Sequence, residues 1–105
     1  MTTRRRLLSD EQLRALRHVV ERNEPLVYWR GGWWACEHEP TSTYHQPPGC
    51  APLPVPDWST TLGTVRALEA RGLLRVQRLD DVLYVHSPRY LTDAGREHCR
   101  RLGVP

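Results

Sequence analysis

The sequence contains no lysine; all 15 of its basic residues are arginine. Codon usage in a guanine-rich genome would be enough to produce this bias. Its physical consequence holds either way, because arginine forks can hold phosphates or guanine edges bidentately. No apolar run approaches the roughly 18 residues of a membrane-spanning helix. The N-terminus lacks the apolar stretch and small-residue cleavage site of a secretion signal, so a soluble, cytoplasmic protein is expected. Cysteine is scarce and odd in number (Cys36, Cys50 and Cys99), which argues against a disulfide framework. There is no glycine-rich phosphate loop, since Gly31-Gly32 lacks the spacing and the following helix. No third group is in view to orient a Cys–His nucleophile pair. The expectation is that the chain is not an enzyme.

What is present fits one domain over residues 1–105, with 39% hydrophobic and 26% charged residues and a net charge of +3. Such a balance favours an anionic partner without demanding one. Residues 1–8 read as a basic arm carrying Arg4, Arg5 and Arg6. The first helix is predicted over 9–22. Ser9 and Gln12 form a capping box, Leu8 and Leu13 a hydrophobic staple, and Leu13, Leu16 and Val20 a buried stripe. Asn23 and Pro25 end it. Residues 26–36 read as a hairpin turning at Gly31-Gly32, with Trp33 and Trp34 on opposite faces. Six prolines between Pro40 and Pro56 predict a loop without regular structure over 37–57. A second helix is expected over 58–71, capped by Asp57 or Ser59 and closed by Gly72. Two strands around an Asp80-Asp81 turn and a last helix capped by Thr92 complete the chain.

Two motifs carry a resemblance. Thr64-Val-Arg-Ala-Leu-Glu-Ala-Arg-Gly-Leu-Leu74 resembles the recognition helix and exit strand of winged helix-turn-helix regulators. Leu91-Thr-Asp-Ala-Gly-Arg96, within Tyr90–Arg96, is similar to the segment that follows the wing in MarR- and PadR-like proteins. Together they cover about residues 58–102. The resemblance implies an α+β winged-helix fold of about three helices, with a β-hairpin wing and an extra N-terminal hairpin. It also implies a transcription regulator that binds double-stranded DNA sequence-specifically, as a homodimer. The chain departs from that pattern at 37–57, where the helix preceding the recognition helix should lie.

Opposite the apolar stripe of the second helix, Ser59, Thr60, Gly63, Thr64, Ala67 and Arg71 should face DNA, with Arg66 at the flank. Small residues let a helix sit deep in the major groove. Arg75, Arg78 and Arg89 on the wing are candidate phosphate contacts, whereas the acidic Asp80-Asp81 tip would be repelled. Arg4, Arg5 and Arg6 could lie along the minor groove or the phosphates. A second constellation is Cys36, His38, His45 and Cys50, the ligand types of a tetrahedral zinc site within 15 residues, though at no common finger spacing. His18, His86 and His98 read as surface or boundary residues. The alternative function is a protein-interaction module that presents Trp33 or Trp34 beside the proline loop, with zinc in loop 36–50.

Overall fold

The computed structural model describes residues 8–76 and 87–101, which form a small α+β fold of three helices and antiparallel sheets. Helix α1, Asp10–Arg22, starts as the sequence dictates. Ser9 Oγ accepts from the Gln12 amide at 3.1 Å, and the Gln12 side chain accepts from the Ser9 amide at 3.2 Å. It ends at Asn23, which takes the left-handed conformation (φ 53°). Its buried stripe is Ala15, Leu16 and Val19, a slight rotation from the expected one; Leu13 and Val20 are half-buried.

Strands β1 (Leu26–Trp29) and β2 (Trp33–Cys36) form the expected hairpin. Gly31 and Gly32 turn it at φ 109° and 100°, values glycine adopts without strain. The 37–57 segment corrects the expectation of an irregular loop. Strands β3 (Thr41–His45) and β4 (Leu53–Pro56) pair antiparallel as a two-stranded ribbon. In such a ribbon both strands are edges. Pro54 and Pro56 therefore need not donate into a ladder on their outer side. Asp57 fastens the open end, accepting from the Ser42 amide at 2.8 Å and the Ser42 hydroxyl at 3.0 Å.

Helix α2 runs over Leu62–Ala70, later than expected, and its N-cap is Thr61 rather than Asp57 or Ser59. The chain before it is claimed by the sheet. Thr60 exchanges two backbone hydrogen bonds with Trp34 (2.8 and 3.3 Å), covering the open edge of β2. Gly72 closes α2 at φ 75°, as the sequence requires. Strands β5 (Leu74–Val76) and β6 (Arg89–Leu91) pair antiparallel, and the four-stranded sheet has the order β2-β1-β6-β5. The turn at Asp80-Asp81, together with Arg78 and His86, lies outside the described residues.

Helix α3, Asp93–Arg101, is capped by Thr92. The Leu91–Arg96 motif has a packing reason. Thr92 Oγ1 donates to the Gly72 carbonyl at 2.7 Å, and the Thr92 amide donates to the Leu73 carbonyl at 3.1 Å. A Cβ on Gly95 would lie 2.5 Å from the Leu73 carbonyl oxygen. The motif therefore locks α3 against the α2–β5 junction. One core, including Leu16, Val19, Leu26, Trp34, Val65, Leu68, Leu74 and Cys99, joins all three helices to the sheet.

Candidate functional site

The outward face of α2 is narrower than expected and is rotated. Its inward side is Thr64, Val65 and Leu68. At 100° per residue the opposite side is Gly63, Arg66 and Ala70, all exposed, with Ala67 at its margin. Arg66 therefore moves from the flank to near the centre. Arg71, at the C-cap, and Arg75, on β5, are also exposed, and the Arg75 guanidinium lies 5.9 Å from the Tyr90 ring centroid.

Several expected DNA contacts are turned inward. Thr60 is only 6% exposed, and its hydroxyl donates to Glu11 Oε1 at 3.3 Å. Thr64 is 8% exposed and shares a 3.2 Å hydrogen bond with Thr61. Ser59 is half-buried, so of the four small residues only Gly63 stays open. Thr64 packs inward because the helix starts at Leu62, four residues later than Trp58, and sets its own phase. Arg89 is 5% exposed: its Nε donates to Glu69 Oε1 at 2.9 Å and its guanidinium lies 5.4 Å from the Trp34 ring. That arginine is a core clasp and not a phosphate contact. Arg4, Arg5, Arg6 and Arg78 lie outside the described residues. Of the two tryptophans expected to offer a partner surface, Trp34 is buried at 2% exposure and Trp33 is half-buried.

The expected metal set is not gathered. His38, His45 and Cys50 are exposed and Cys36 is buried. The ribbon that replaces the loop carries His45 along β3, away from a shared centre. Instead, a different group forms around Cys36. His18 of α1, Cys36 at the end of β2 and Glu39 in the following turn each offer a ligand atom, and these atoms lie within 4.8 Å of one another. His18 Nε2 is 2.8 and 2.9 Å from the two Glu39 carboxylate oxygens. Its ring stacks on Trp58 at 4.0 Å. Glu39 is 6% exposed, and Arg22 Nε lies 3.4 Å from its Oε2.

Burial, reinforced by the Glu39 and Glu24 carboxylates, pushes the Cys36 thiol up to about 12. It is not a free nucleophile at neutral pH. Glu24 is held below the ordinary carboxylate range, chiefly by the His38 amide, which donates to it at 3.0 Å. Sequence reading missed His18 and Glu39. The only signal was that His18 sits beside Val19, at the margin of the buried stripe, so a neighbour in the fold could reach it.

Comparison with protein families, curated proteins and solved structures found no match.

Proposed function

We propose that the chain binds double-stranded DNA through α2, as a winged-helix-type regulator whose preceding helix is replaced by the β3–β4 ribbon. The observation that carries this reading is the outward face of α2. One arginine, Arg66, stands between Gly63 and Ala70, with Arg71 and Arg75 exposed beyond the helix end. Small neighbours let the backbone approach a groove closely, and Arg66 is the side chain with the reach to read a base edge. The sheet order supports the same reading. The strand that leaves α2 (β5) pairs with the strand that precedes α3 (β6), and β6 in turn pairs with β1. That frame holds α2 on one side by the Val65 and Leu68 contacts, and Gly63, Arg66 and Ala70 on the other side are exposed.

A titration of labelled random duplex at low salt tests it. Binding is expected, weakening steeply with salt. Arg66→Ala is expected to cost about 1–3 kcal/mol of affinity, the usual size of one good base or phosphate contact. No binding at low salt, or undiminished binding by the Arg66→Ala/Arg71→Ala/Arg75→Ala variant, ends the proposal. The proposed assembly is a homodimer reading two half-sites, which selection of bound duplexes from a random pool would reveal as a fixed spacing.

A further inference from the structure

We propose that His18, Cys36 and Glu39 are the protein ligands of a single divalent, thiophilic cation, with zinc as the best fit. Imidazole, thiolate and carboxylate together form a zinc-type donor set, and three protein ligands leave a fourth position for water. The three side chains come from separate segments, α1, β2 and the turn after it, yet their donor atoms converge within 4.8 Å. Around one tetrahedral ion with bonds of about 2.0–2.3 Å, donor atoms sit roughly 3.3–3.8 Å apart. Reaching that spacing needs the His18–Glu39 pair, at 2.8 Å, to open by roughly half an ångström and the longest separation, at most 4.8 Å, to close by about 1 Å.

The polar groups of the cluster are poorly matched to one another. A single imidazole nitrogen, His18 Nε2, faces both oxygens of Glu39 and can donate only one hydrogen. Arg22 Nε is buried with no hydrogen bond, although Glu39 Oε2 lies 3.4 Å away. A buried donor held only by long ion-pair contacts, to Glu39 at 3.4 Å and Glu24 at 3.6 Å, and by no hydrogen bond is poorly compensated. A cation resolves the mismatch. It takes the Nε2 lone pair, the Cys36 sulfur and one Glu39 oxygen, and leaves the other oxygen to Arg22 as an outer partner. Charge balances too. The Cys36 thiolate with Glu39, Glu24 and Arg22 carries a net charge of −2, which one divalent ion neutralises. On binding, the Cys36 S–H bond breaks, the sulfur keeps the electron pair to bond the metal, and the proton leaves to solvent. Such an ion would tie α1 to the start of the ribbon.

Cobalt(II) titration of the full chain, followed by zinc competition, tests the site. One cobalt per chain is expected, with a thiolate-to-cobalt charge-transfer band that zinc abolishes. Cys36→Ala should remove the band and weaken binding at least about 100-fold, the upper end of what losing a mere outer partner costs. His18→Gln keeps the thiol and should weaken binding similarly, which preserves the test if Cys36→Ala fails to fold. Cys50→Ala and His45→Ala should bind like the parent. Zinc should raise the melting temperature of the parent and leave that of folded His18→Gln unchanged. Failure of the folded parent to bind cobalt overturns the proposal. Parental affinity in Cys36→Ala and His18→Gln, or loss of the band in Cys50→Ala, overturns it equally. None of these readouts involves DNA, so the site stands or falls apart from the proposed function.

Discussion

Cys36 and Cys50 share one chemistry and sit 14 positions apart, but their surroundings set them at opposite extremes of reactivity. Cys50 is exposed, whereas Cys36 is fully buried beside two carboxylates. Cys99 is also buried, and burial raises its thiol. Because the thiolate is the reacting species, a maleimide or iodoacetamide should label Cys50 first and reach Cys36 and Cys99 only on unfolding. Peptide mass mapping reads the order, and equal labelling of Cys36 in the native chain would contradict its burial. Glu24 gives a pH signature. Its folded value lies below the ordinary 4.5, so the carboxylate contributes stability that is present above that value and lost as pH falls through the folded one. The pair is partly solvated, so Glu24→Gln should cost no more than about 1 kcal/mol at pH 7. In denaturant melts the difference from the parent should vanish in acid. A cost that persists at a pH where Glu24 is protonated in the folded chain as well would mean that the contact acts through packing, not charge.

At the scale of elements, two junctions decide the geometry. Thr61 caps α2, and its side chain accepts from the Thr64 amide at 3.3 Å. Thr61→Ala should therefore destabilise by about 1 kcal/mol, and Ser59→Ala by much less. The reverse ranking in urea melts would place the helix start at 58–59, where the sequence alone had put it. The α3 junction is stricter. Gly95→Ala places a methyl against the Leu73 carbonyl and the Leu91 side chain, which should cost about 1–3 kcal/mol through forced displacement. Unaltered stability would show that α3 can slide away from β5. These junctions also mark how much could be read from the residues. Ser9, Asn23, Gly31, Gly32 and Gly72 act within a few residues of themselves, as does Thr92 in its capping of Gly95, so those roles follow from local spacing. The β3–β4 ribbon could not be read that way. Its pairing is between residues about ten apart, and prolines that would break a central strand are harmless in a two-stranded one. The start of α2 failed for a related reason: Thr60 is spent on the backbone of Trp34, a partner 26 positions away.

For the whole molecule, the fold sorts the arginines among the described residues into different jobs, and sequence treats them alike. Arg89 clasps Glu69 in the interior, Arg22 faces the buried Glu39, and Arg66, Arg71 and Arg75 face outward. Salt dependence of DNA binding should follow that sorting. Each outward arginine that meets a phosphate should, on mutation to alanine, lower the salt slope by about one. Arg89→Ala should instead unsettle the fold, because it strips Glu69 of its partner beside the core. A stable Arg89→Ala chain with a reduced slope would invert the assignment.

Capping, turn and amphipathic patterns belong to neighbouring residues, and they set α1, the presence and end of α2, the start of α3, the Gly31-Gly32 hairpin and the α+β class. Which face of α2 is open, which arginines reach solvent, and the meeting of His18 with Cys36 and Glu39 arise only when distant segments share one core. A side chain's exposure and its partners depend on what packs over it, and no local spacing records that.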